Sequence, residues 1–87
     1  MEDELKQLRK RIDGVDEQIL RSINERVQIC SLIGATKRKN GAPTRDPARE
    51  KQVYDHVRLR ALQFGLEPAR LESVYRQIVN MCSSVQE

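Results

Sequence analysis

Seven polar side chains fall on or beside the apolar stripes of an amphipathic chain: Arg9, Arg26, Lys37, Asp46, Arg49, Glu50 and Gln86. A cation on a stripe that faces other helices must meet an anion, because burying an unpaired charge is costly. Arg26 and Lys37 pose the question most directly. The three-four rhythm of Leu5, Leu8, Ile12, Val15 and Ile19 continues through Ser22, Arg26, Ile29, Ile33 and Lys37. Two cations therefore stand where a helix–helix seam would take Leu or Ile. They lie eleven residues apart, almost three full turns, which places them on one face about 16 Å apart along the axis. Side chains reaching in from both ends form the floor of a site for a small anionic ligand. Arg9 precedes Arg26 by 17 residues, about 25 Å along the axis and roughly 100° round it. It does not readily join such a pocket from its own chain, whereas from an antiparallel partner rod it could.

Each residue also has an ordinary structural role open to it. Arg9 can pair with Asp13 on the surface, and Arg26 can fix register against an acidic residue across an interface. Lys37 suits the negative end of a helix dipole, and Asp46 is a favoured N-cap. Arg49 can hold Asp46 or Asp55, Glu50 can pair with Lys51 or an arginine, and Gln86 can fray. His56 sits at the edge of its stripe and is expected to be solvated.

The elements that must carry these residues are three helices. The first runs from Glu4 to roughly Lys39 without a proline, about 36 residues and on the order of 54 Å long. A compact chain of 87 residues has a diameter of only roughly 30 Å, so the rod overhangs its own domain and a second chain is expected to cover the excess. Gly41 and Pro43 stop the rod. Asp46-Pro47 opens a second helix to about Phe64, with Val53, Val57, Ala61 and Phe64 on one stripe. Gly65 closes it. Leu66-Glu67-Pro68 begins the third, whose apolar line is Leu71, Val74, Tyr75, Ile78, Cys82 and Val85. Short connections predict consecutive helices side by side. The expected fold is all-α, one long and two shorter helices over residues 1–87 as a single domain, paired with a second copy as an intertwined six-helix homodimer.

Composition agrees. Apolar residues make up 38%, charged residues 33%, and three residues are aromatic, a profile for long amphipathic helices. The net charge of +3 is interleaved along the chain, which fits a small anionic substrate better than nucleic acid. No run approaches a membrane span, and the acidic start Met1-Glu2-Asp3-Glu4 lacks the order of a signal peptide. Cys30 and Cys82 sit at helical positions, and one His is too few for most zinc sites. A reduced cytoplasmic protein without metal or cofactor is expected.

The order Leu8-Arg9-x-x-Ile12-Asp13-x-x-Asp16, Glu25-Arg26, Gly34-x-x-Lys37, Pro43-x-x-Asp46-x-x-Arg49-Glu50 and a terminal Gln86 resembles the all-helical (type II) chorismate mutases over nearly the whole chain. The resemblance implies an intertwined homodimer and the Claisen rearrangement of chorismate, a dianion, to prephenate. It implies that Arg9 enters from the partner and, with Arg26, clamps the side-chain carboxylate. By the same resemblance Lys37 would bridge that carboxylate and the ether oxygen, and Gln86 would donate to the ether oxygen from the other side. Asp46 and Glu50 would hold the ring hydroxyl, and Arg49 would help with the ring carboxylate. A serine of the third helix commonly assists there; in this chain the position is Cys82, whose thiol is a weaker donor.

That reaction suits the residues. A unimolecular rearrangement needs no nucleophile or cofactor, only orientation of a flexible dianion and donors aimed at the oxygen where charge grows. An uncharged Gln86 at that oxygen implies activity that persists into alkaline solution. The alternatives are an isochorismate pyruvate lyase on the same scaffold, a basic helical nucleic-acid-binding module, and a purely structural helical dimer.

Overall fold

Local signals at the helix ends account for the architecture. A computed structural model describes all of residues 1–87 and contains α1 (Glu2–Asn40), α2 (Pro47–Gln63) and α3 (Pro68–Gln86), with no strand. Helix α1 starts two residues earlier than expected because Glu2, Asp3 and Glu4 complement the positive end of its dipole. It stops at Gly41, which adopts φ 68°, a left-handed conformation that a Cβ disfavours. The Gly41 and Ala42 amides then bond back to the Arg38 and Lys37 carbonyls at 3.3 and 2.9 Å, a Schellman closure. Asp46 caps α2, its carboxylate accepting from the Arg49 amide at 3.1 Å. Glu67 does the same for α3, accepting from the amides of Ala69 and Arg70. Both caps are followed directly by proline, whose missing N–H costs nothing in a first turn.

Packing differs from the expected side-by-side order in one respect. Helix α3 packs on both α1 and α2, whereas α1 and α2 nowhere approach within 8 Å between Cα atoms. The six-residue connection Gly41–Asp46 carries α2 away from the rod, and α3 returns to fill part of the gap. The core runs along α3: Val79 and Cys82 are buried with Cys30 of α1 and with Val57 and Ala61 of α2. Phe64 is exposed, not on the buried stripe, because α2 ends at Gln63. The Arg60 guanidinium lies over its ring at 4.8 Å.

Only seven of 87 residues are buried, and no side chain is below 2% exposure. The chain measures 59 × 24 × 15 Å with a radius of gyration of 16.6 Å, against about 12 Å for a compact chain of this length. The difference is the amino-terminal half of α1, where Leu5, Leu8, Ile12, Val15 and Ile19 are 46–60% exposed. No helix is long and apolar enough to cross a membrane.

Candidate active site

The separation of α1 from α2 leaves a cleft of about 410 Å³ bounded by all three helices. Seven of the eight residues singled out from the sequence line it: Arg26, Lys37, Asp46, Arg49, Glu50, Cys82 and Gln86. The eighth, Arg9, is exposed on the free half of α1. It forms no ion pair with Asp13.

Helix α1 supplies the floor. Arg26, Ile29, Ile33 and Lys37 face the cleft in their expected rhythm, with Cys30 beside them. The Arg26 guanidinium donates from Nη1 to the Cys82 thiol at 2.8 Å and lies 3.9 Å from the Cys30 thiol. Cys82 in turn donates weakly to the Arg26 carbonyl at 3.9 Å. The Cys82 thiol thus holds an arginine in place. Burial pushes the Cys30 thiol up to about 11, helped by neighbouring Cys82 and opposed by Arg26 and Gln86.

Lys37 Nζ donates to the Thr44 carbonyl at 2.6 Å and to Gln86 Oε1 at 2.8 Å. Both acceptors are neutral, so the ammonium has no counter-ion. Neither do the other two cleft cations: none of the ion pairs within the chain involves Arg26, Lys37 or Arg49. Arg49 reaches Gln52 instead, at 3.3 Å, and not Asp46 or Asp55.

Gln86 does not fray. It is buried, and its side-chain oxygen is taken by Lys37, which leaves the amide N–H groups as donors. Gly34 makes this possible, since a Cβ there would stand 2.8 Å from Gln86 Cα. Asp46 keeps its capping role at the rim. Glu50 is gripped by Arg45, which donates from Nε at 3.2 Å and from Nη2 at 2.8 Å. That grip holds the Glu50 carboxyl below its usual range.

Sequence reading missed four contributors. Ser83 lines the cleft beside Cys82, one residue off the apolar line. Thr44 acts through its backbone carbonyl, which leaves no side-chain signal. Arg45 and Arg38 resemble any other surface arginine until the fold brings Glu50 and Gln86 to them.

Fold and site together place Arg26, Lys37 and Arg49, none of them in an ion pair, around one cleft between three helices, with the carboxylates of Asp46 and Glu50 on its rim. The family model for chorismate mutase type II matches residues 8–87, and the chain belongs to that family. It is 38% identical over 88 residues to the bifunctional chorismate mutase/prephenate dehydratase of Aquifex aeolicus, covering 98% of this chain and 24% of that protein. It is 40% identical over 58 residues to a chorismate mutase of Methanocaldococcus jannaschii, covering 67% and 59%. A 4-amino-4-deoxychorismate mutase of Streptomyces pristinaespiralis is 35% identical, covering 88% and 60%. The chain thus spans between about a quarter and three-fifths of the length of these curated relatives. A conserved hypothetical protein of Pyrococcus furiosus shares the fold with a TM-score of 0.74 at 31% identity, covering 95% of each chain.

Proposed function

We propose that this chain is a single chorismate mutase domain that rearranges chorismate to prephenate, working as an intertwined homodimer. The observation that carries the reading is the convergence of Arg26, Lys37 and Arg49 on one cleft, none of them in an ion pair within the chain. A dianion supplies the missing charge. Arg26 and the partner's copy of Arg9 grip the side-chain carboxylate, each charge-assisted bond contributing about 1.5–3 kcal/mol. Arg49 meets the ring carboxylate, with Ser83 a nearby hydroxyl where the thiol of Cys82 is a weak donor. Lys37 and the Gln86 amide donate to the ether oxygen as the C–O bond breaks, so they stabilise the transition state more than the substrate.

Association of two copies is supported by the exposed stripe of Leu5, Leu8, Ile12, Val15 and Ile19. A contiguous apolar strip on an overhanging helix marks an interaction surface. An antiparallel partner rod covers it and delivers Arg9 to the cleft. Both thiols are free, which suits a reducing cytoplasm.

Asp46 and Glu50 would accept from the ring hydroxyl. They would also accept from an amine, and a mutase named for 4-amino-4-deoxychorismate stands among the relatives. The Arg45–Glu50 pair favours the hydroxyl, because the charge of Glu50 is already answered and an ammonium there would face Arg45.

Product analysis tests the reading: prephenate from chorismate is expected, with neither pyruvate release from isochorismate nor salt-steep DNA binding. A folded protein that leaves chorismate unchanged overturns it. Sharing of the site is tested by refolding Arg9→Ala together with Lys37→Ala, each nearly inactive alone. Heterodimers carry one intact pocket and regain activity; demonstrated heterodimers without recovery exclude a contribution of Arg9 in trans.

A further inference from the structure

We infer that Arg38, an exposed residue on the side of α1, is a positioning residue that aims Gln86 into the cleft. This rests on the proposed role of Gln86 at the ether oxygen. Arg38 donates from Nη1 to the Gln86 backbone carbonyl at 2.8 Å, across 48 positions of sequence. The bond crosses from α1 to α3 and ties the backbone that carries the Gln86 side chain to the rod, a charge-assisted contact to a carbonyl.

The neighbouring contacts leave Arg38 a distinct task. Gly34 sets how closely α3 can approach α1, because a Cβ there would meet Gln86 Cα at 2.8 Å. It limits the approach of the two helices but makes no bond to the Gln86 backbone. Lys37 holds the side-chain oxygen of Gln86, yet the same ammonium is also bound to Thr44 and must turn toward substrate. Arg38 alone fixes the Gln86 backbone by a side chain that does not line the cleft. Its neighbour Lys39, equally basic and in the same last turn of α1, makes no such bond and serves as the control.

Gln86 acts on charge that develops only in the transition state, so loosening it lowers kcat and leaves KM nearly unchanged. Arg38→Met is expected to lower kcat about three- to tenfold, the size of one ordinary net hydrogen bond, with KM within about twofold. Arg38→Lys restores most of the loss, and Lys39→Met changes neither constant. In a Gln86→Ala background, Arg38→Met costs nothing further, because the side chain it aims is gone. An unchanged kcat in Arg38→Met, a loss that appears in KM alone, or full additivity with Gln86→Ala overturns the inference. Amide hydrogen exchange supplies a readout independent of chemistry. Arg38→Met should speed exchange in the last turn of α3 and not in α2. Protection as strong as in the parent defeats the inference even if the parent turned over no chorismate, a result that would overturn the functional reading separately.

Discussion

The Arg26 guanidinium on α1 and the Cys82 thiol on α3 are joined at 2.8 Å, so a cation lining the cleft is oriented by a residue 56 positions away in the chain. Sulfur is a weak acceptor, but Cys82 is buried and leaves the guanidinium little freedom to swing. Cys82→Ala removes this hold and should raise KM about three- to tenfold through looser carboxylate binding. Cys82→Ser keeps a hydrogen-bonding group in nearly the same volume and should stay within about threefold of the parent. Steady-state kinetics on both variants separate the cases; equal losses would show that the shape of the thiol, not its bond to Arg26, is what counts.

Gly34→Ala sets two effects against each other. Alanine is the better helix former by about 1 kcal/mol, so an exposed helical glycine would gain stability from the change. Here the added Cβ meets Gln86 Cα at 2.8 Å and its Cβ and Cγ at 3.1 Å. Backbone has to move, and overpacking of this kind costs about 1–3 kcal/mol. A net loss of stability in urea unfolding is expected, together with a fall in kcat as Gln86 is pushed away from Lys37. A variant as stable and as active as the parent would show that α3 can shift without consequence.

Arg45 shifts the titration of a carboxyl at the rim. Its bond to Glu50 is the largest cause holding that carboxyl below the ordinary range. A carboxyl with a depressed folded value stabilises the fold above its unfolded value, and the contribution disappears as pH falls through the folded value. Arg45→Gln should move the Glu50 titration, followed by carboxyl NMR, upward toward the usual carboxylate range. Glu50 stays ionised at neutral pH in both proteins, so any change in activity at pH 7 reports position and not protonation. A Glu50 titration that does not move would remove Arg45 from the account.

Cys30 has the opposite sign. Burial pushes its thiol from 9.0 to about 11, so between those values the unfolded chain releases a proton that the folded chain keeps. Stability from this group is complete below pH 9 and is lost as pH rises toward 11. Denaturation midpoints should fall across that window in the parent, and the part due to Cys30 should be absent in Cys30→Ala. The same burial predicts slow alkylation of Cys30 at pH 8 in the folded protein, because the thiolate is the nucleophile. Rapid modification without unfolding would contradict it.

Sequence alone determined the helices and the faces they present. Asp46-Pro47 and Gly41 mark ends through local capping and backbone conformation, and a period of 3.6 residues places Arg26, Ile29, Ile33 and Lys37 on one side of α1 without reference to any other helix. Those facts are local, so they are legible in a string. The overhang was legible too, because a run of residues without a breaker has a calculable length.

Tertiary structure decided which helix lies between which, and therefore where the cleft opens. It decided that Gln86 is buried between Gly34, Lys37 and Arg38 and not frayed, that Cys82 holds Arg26, and that Arg45, not Lys51, answers Glu50. Each of these contacts depends on the distance and rotation between two helices or on the path of a loop, quantities that hydrophobic periodicity does not encode. One arginine looks like another until the fold brings a carboxylate or a carbonyl within reach of it.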